Sequence, residues 1–338
     1  MTTPIPLPPN QPPDRFYAGG PRIARFRGLD TSAPRTPEDW LGSTTTLFGD
    51  PELGLTRING QLLRDLIAAE PEHWLGGDHT AAFGTDNQLL VKLLEAGQRL
   101  PVHVHPDDAF AAEHLGLAHG KAEAWYIVDG GEVFLGFTRD VPPAELAELV
   151  AGQHTEELLG LCHQREVSPG DTVFVPAGLP HAIGAGVFLV EVQQPEDLSI
   201  LLEWKDFEID GAQHGHLGLG FDRALDAVQT RGISGAEADA LITRESSDTS
   251  ALVPAADRYF RIERLLPGVP TVLAPGLAVL VTLAGAGELT SIGGVQPLSP
   301  GTVLLLPHAA GALTLTGSVH AIACRPPLPA TTANGDAP

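Results

Sequence analysis

The chain has 338 residues, with 42 acidic against 20 basic side chains and a formal charge of −22. That balance repels polyphosphates and anionic membranes, and the cations are scattered without a basic run, which removes nucleic acid and membranes as partners. At 43 % apolar residues the length suits two domains with real cores, and 30 prolines with 38 glycines point to short strands and turns more than long helices.

The first 13 residues, MTTPIPLPPNQPP, hold six prolines and read as an extended arm. They carry neither a charged nor an apolar leader segment, and no stretch of the chain reaches the roughly 18 apolar residues of a membrane span, so a soluble cytoplasmic protein is expected. INGQLLRDLIAAEPEHWLG has the spacing of an amphipathic helix ended by Pro71. Strand-like segments follow: QLLVKLLEA, LPVHVHP, AEAWYIVDG, GEVFLGF, REVSPGDTVFVPAG and GVFLVEVQQ. Their alternation and Gly-Gly and Pro-Gly turns predict an antiparallel sandwich or barrel. Residues 141–163 interrupt this region with leucines at helical spacing after Pro142-Pro143, and FDRALDAVQTRG begins a second helical stretch within about 216–245. From Ala251 another set of short strands predicts a second β domain, so the expected division is 1–250 and 251–338. Ser-Pro-Gly, an apolar strand and a proline recur within 168–178 and 299–311, the phrase expected of an internal duplication. Cys162 and Cys324 make no disulfide framework.

The strongest chemical signal is His103-Val104-His105. Residues i and i+2 of a strand share a face, so both imidazoles can converge on one ion. Gly97 precedes His103 by six positions, Gly130 follows Glu123 by seven, and Gly170 leads through Pro176-Ala177-Gly178 to His181. Three imidazoles and a carboxylate suit a divalent first-row ion with an open position. Asp107 and Asp108 fit turn caps better than ligands, and His114, His119, His214 and His216 are read as loop residues. Either Trp125 or Tyr126 should pack inward by alternation.

These spacings resemble the two cupin motifs, except that 17 residues, 106–122, separate His105 from Glu123 where three or four are usual. With GKAEAWYIVDG, PAGLPHAIGAG and VEVQQPED, the chain resembles the type I mannose-6-phosphate isomerases in their short bacterial form. The resemblance implies a mainly β chain of two cupin-type jelly-roll domains with helical insertions, the second degenerate and without metal. It also implies bound zinc, another divalent ion being the alternative, and interconversion of mannose 6-phosphate with fructose 6-phosphate through an enediol. His105, Glu123 and His181 fall on family metal ligands, and His103 stands where the family usually has glutamine. Lys121 matches the lysine of a Lys-x-Glu element, as proton carrier or anion anchor, while Glu191 and Asp197 match acidic positions after the ligand histidine. Lys92 is read as lining the mouth or as a surface charge. Two departures bear on the substrate: Pro101 replaces a phosphate-contacting serine, and Leu201 falls where the family has an arginine.

An isomerase of an unphosphorylated sugar is therefore the alternative reading. A different cupin enzyme, such as a dioxygenase or decarboxylase, and a metal-containing sugar-binding protein without turnover are the others. The partner is a sugar or sugar phosphate, and the assembly a monomer or homodimer.

Overall fold

The computed structural model describes residues 3–329; the arm's first two residues and the last nine of the second expected domain lie outside them. Lone apolar and β-branched runs bounded by Gly and Pro become strands, and two sheets form the first sandwich. One has six strands, ordered Ile242–Thr243, Thr172–Val175, Glu123–Asp129, Phe188–Gln193, Leu90–Glu95 and Glu38–Leu41. The other has five: Ile200–Leu201, His103–Val104, His181–Ile183, Gly131–Phe137 and Cys162–Val167. Between them lies a core of Leu94, Trp125, Ile127, Leu135, Val175, Ile183 and Leu189.

The chain from Arg261 onward, joined by one strand of the N-terminal arm, builds a second sandwich from a five-stranded and a four-stranded sheet. Its interior is apolar, with Leu273, Leu280, Leu289, Leu304 and Leu315. The two Ser-Pro-Gly turns match in backbone as well as in letters, with Gly170 at φ 90° and Gly301 at φ 82°. A side chain is strained at such angles, and a Cβ at Gly301 would meet the Phe26 carbonyl. The short strand Ile5–Pro6 of the arm pairs antiparallel with Val303–Leu306, at the edge of the five-stranded sheet of the second sandwich.

Alternation predicts one inward aromatic at 125–126, yet both are buried, Trp125 at 0 % and Tyr126 at 1 % exposure. The outer face of the six-stranded sheet is covered by the second sandwich: Val91, Leu93, Tyr126, Val190 and Val192 join Val279, Val281, Leu305 and Ile322 in one core. A sheet buried on both faces erases the polar half of the pattern.

The helical expectations need correction in extent. INGQLLRDLIAAEPEHWLG gives two short helices, Leu63–Ala69 and Pro71–Trp74. Pro71 begins the second instead of ending the element, as proline does without penalty at a first helical turn. Within 141–163 the helices are Pro143–Ala151 and Thr155–Gly160, while Cys162 and His163 already belong to a strand. Leu146, Leu149, Val150 and Leu158 pack them onto the outer face of the five-stranded sheet. Helix in the 216–245 stretch is confined to short turns at Phe221–Ala224, Leu225–Ala227 and Gly235–Asp239, and Ile242–Thr243 is already a strand.

Candidate metal centre and active site

His103 and His181 are direct cross-strand partners on the five-stranded sheet, and Glu123 opposes them from the six-stranded one. His105 sits just past the end of its strand, and its carbonyl accepts from the Gly178 N–H at 2.7 Å, which ties the His103-Val104-His105 segment to the turn that delivers His181. The preceding residues are anchored as well: Glu203 accepts from Arg99 Nη1 at 2.8 Å and from the Val102 N–H at 2.9 Å.

All three imidazoles are oriented in the same way. Nδ1 of His103, His105 and His181 lies 2.8, 2.5 and 2.8 Å from the carbonyls of Pro101, Leu198 and Leu179. A carbonyl only accepts, so each Nδ1 carries the proton and each Nε2 presents a lone pair. Burial, and for His105 the Lys121 ammonium, keeps His103 well below the usual imidazole range and His105 down at about 3, so both stay neutral. The three candidate ligand nitrogens lie within 4.8 Å of one another.

Glu123 completes the group. Its Oε2 is 2.9 Å from His105 Nε2, its Oε1 is 3.4 Å from His181 Nε2, and Trp125 Nε1 donates to Oε1 at 2.9 Å. Burial by itself pushes this carboxyl up, but Lys121 and His105 outweigh it and hold Glu123 well below the usual carboxylate range. Among the described residues, His181 Nε2 and Glu123 Oε2 are buried without a hydrogen-bond partner. His181 Nε2 is turned to the centre, Glu123 Oε2 faces the Lys121 ammonium and His105, and three imidazole nitrogens with one carboxylate are a donor set that fits a divalent ion.

A buried charge network adjoins the centre. Lys121 Nζ lies 3.0 Å from Glu123 Oε2, 3.1 Å from His105 Nε2 and 4.0 Å from Glu191 Oε1. Burial first, and the Glu123 charge second, raise the Glu191 carboxyl above its ordinary range. Lys92 is not a surface charge: it is buried in the lining of the inner cleft, 3.5 Å from Glu191, 3.5 Å from Asp197 and 3.7 Å from Glu38, with Nζ 4.6 Å from the Trp40 ring. Asp197 also accepts from the Phe48 N–H at 3.1 Å. Glu38 accepts from the Tyr17 hydroxyl, from Trp40 Nε1 at 2.6 Å and from Arg15 Nε at 3.3 Å.

Glu38, Trp40 and Arg15 were not singled out by the motifs. A readable signal existed for part of the network: Glu191 is the lone charge of its strand, Lys92 is flanked by apolar residues within its own, and they sit opposite one another in register. The capping reading of Asp107 and Asp108 holds, since Asp107 accepts from the Phe110 N–H and Asp108 from the Gly120 N–H, both at 2.8 Å. His119 pairs with Asp86 at 2.6 Å and His216 accepts from the Gly220 N–H, both away from the centre.

No protein-family model matches the chain. It is 29 % identical to the mannose-6-phosphate isomerase of Streptococcus mutans over 90 % of its own length and 93 % of that protein's. It is 28 % identical to the mannose-6-phosphate isomerase ManA of Bacillus subtilis, with the same coverage. The fold matches the crystal structure of the mannose 6-phosphate isomerase from B. subtilis with a TM-score of 0.72 at 23 % identity, covering 96 % of this chain and 99 % of that one. It also matches the apo enzyme from Salmonella typhimurium with a TM-score of 0.73 at 17 % identity, covering 97 % and 100 %.

Proposed function

We propose that the chain is a member of the mannose-6-phosphate isomerase family and that His103, His105, Glu123 and His181 hold a divalent ion beside which an aldose is converted to its ketose. The observation that carries this reading is the convergence of three proton-free Nε2 atoms and a carboxylate on one side of Lys121 and Glu191. Zinc suits a set of three imidazoles and a carboxylate. When bound, the ion supplies Lewis acidity for the oxygens on C1 and C2 of the sugar.

The chain's own residues manage the protons. Isomerisation breaks the C2–H bond, and its electron pair becomes the C1–C2 double bond of an enediol as the C1 carbonyl oxygen gains a proton. The hydroxyl at C2 then gives up its proton, a carbonyl forms there, and C1 receives a proton, so that substrate and product have the same atoms. Lys121 and Glu191 are the groups placed to carry these protons, their polar atoms 4.0 Å apart beside the metal ligands. Asp197 and Lys92 fix the network's geometry, since each bridges several partners. Enclosure of all four side chains keeps competing water out. The second sandwich, whose interior is apolar, serves as a packing partner in this reading.

The test is to load purified protein with zinc, measure bound metal, and follow conversion of mannose 6-phosphate, mannose and other aldoses. About one ion per chain together with ketose formation is expected. Metal-replete protein that isomerises no aldose overturns the reading.

A further inference from the structure

His103, Glu123, Lys121 and Glu191 line a small inner cleft of about 30 Å³, and beyond it opens a chamber of about 480 Å³. Arg15, Phe16, Asp197 and Ser199 line both spaces and so form the neck between them. A sugar with C1 and C2 at the metal centre would pass its other end through this neck. Leu201 is in the chamber wall and brings no charge there.

Arg15 differs from the two buried lysines in how fully its donors are used. A guanidinium carries five N–H donors. Among the described residues this side chain makes one hydrogen bond, from Nε to Glu38 at 3.3 Å; Nη2 is 3.3 Å from the same oxygen and 3.9 Å from Asp197, and Nη1 bonds nothing. Glu38 and Asp197 are also faced by Lys92, at 3.7 and 3.5 Å, so Arg15 is not their sole counter-ion. The Ser199 hydroxyl at the same neck likewise makes no hydrogen bond among the described residues, and Ser199 is only partly buried.

We infer that Arg15, with Ser199, receives an anionic group on the end of the substrate remote from the metal, namely the phosphate ester of a hexose phosphate. Planar guanidinium donors match phosphate oxygens two at a time, and a hydroxyl donor beside them adds a third contact. The arginine comes from the N-terminal region, on a different segment from Pro101 and Leu201, which offer neither donor nor charge. This inference rests on the isomerase reading for the orientation of the sugar.

Steady-state kinetics with mannose 6-phosphate and with mannose test it, on zinc-loaded wild type, Arg15→Gln, Arg15→Lys and Ser199→Ala, alongside calorimetric binding of both sugars. Arg15→Gln is expected to reduce the preference for mannose 6-phosphate over mannose about tenfold or more, with the loss falling on KM more than on kcat. Ser199→Ala is expected to reduce it about three- to tenfold. Equal losses for the two sugars, or a wild type that binds mannose as tightly as mannose 6-phosphate, overturn the inference. If Arg15→Gln does not fold, Arg15→Lys decides, because lysine keeps the charge beside Glu38 but lacks the planar pair of donors. Unchanged KM for mannose 6-phosphate in both Arg15→Lys and Ser199→Ala then overturns it. If no aldose is turned over, the isomerase reading falls, while the calorimetric preference of wild type against the Arg15 variants still decides this one.

Discussion

His181 and Lys121 approach the same carboxylate, Glu123, from different sides, at 3.4 and 3.0 Å, and replacing them separates two kinds of loss. His181→Ala is expected to lose both bound metal and activity in elemental analysis and assay. Lys121→Ala should keep the metal while kcat falls by about 10²–10⁴, the usual cost of a missing proton carrier; unchanged turnover removes Lys121 from the mechanism. A third residue gives a pH signature. Burial, with Asp86 and Asp197 nearby and His119 opposing them, pushes the Glu196 carboxyl up to about 7. The folded state therefore holds a proton that the unfolded chain releases near pH 4.5, so this group's contribution is fully present below about 4.5 and is lost as pH rises through about 7. Glu196→Gln should stabilise the protein by roughly 1–2 kcal/mol at pH 8 and by nothing near pH 4, read from urea unfolding at the two pH values. The histidines were legible because an i, i+2 pair and a Pro-x-Gly turn are local. Arg15 and Glu38 were not, since their neighbours come from strands distant in the chain.

At the scale of elements, the 17 residues between His105 and Glu123 form a closed excursion. The Lys121 N–H donates to the Pro106 carbonyl at 2.9 Å and Gly120 to Asp108, so the chain returns to the point it left. Gln194 locks the closure, accepting from the Ala122 N–H at 2.9 Å and donating to Asp108 at 2.8 Å. The excursion closes on itself, which is why the long gap still brings His105 and Glu123 together, 2.9 Å apart, among the candidate ligands. Gln194→Ala should cost about 1–3 kcal/mol in denaturant and lower kcat with metal retained. Wild-type turnover in that variant contradicts the role of the closure in placing Lys121. The alternating strands were readable because one face of each meets a core. The helices were overestimated because leucines at helical spacing also occur where short turns pack separately, as at Leu63, Ile67 and Trp74.

Across the whole molecule the two sandwiches share an apolar face, so they are expected to unfold as one unit. Val281 lies in that face, fully buried. Val281→Asp should destabilise the entire chain by about 4 kcal/mol or more, because the aspartate has no partner there, and thermal melts should show one transition at lower temperature. Two separated transitions would mean that the units fold independently. The turn phrase shared by the sandwiches was visible in the letters, but their mutual burial was not, because a sheet covered on both faces carries no alternation to read.

The pairing of Ile5 with Leu305 has a consequence for the making of the molecule. A ribosome adds about 5–20 residues per second, so the arm emerges on the order of tens of seconds before its partner strand exists. During that interval its proline-rich segment has no ladder to join, and its prolines, lacking N–H groups, make it a poor template for stray strand pairing. A strand made late thus captures a segment made about 300 residues earlier, so a chain lacking Val303–Leu306 leaves the arm without its ladder.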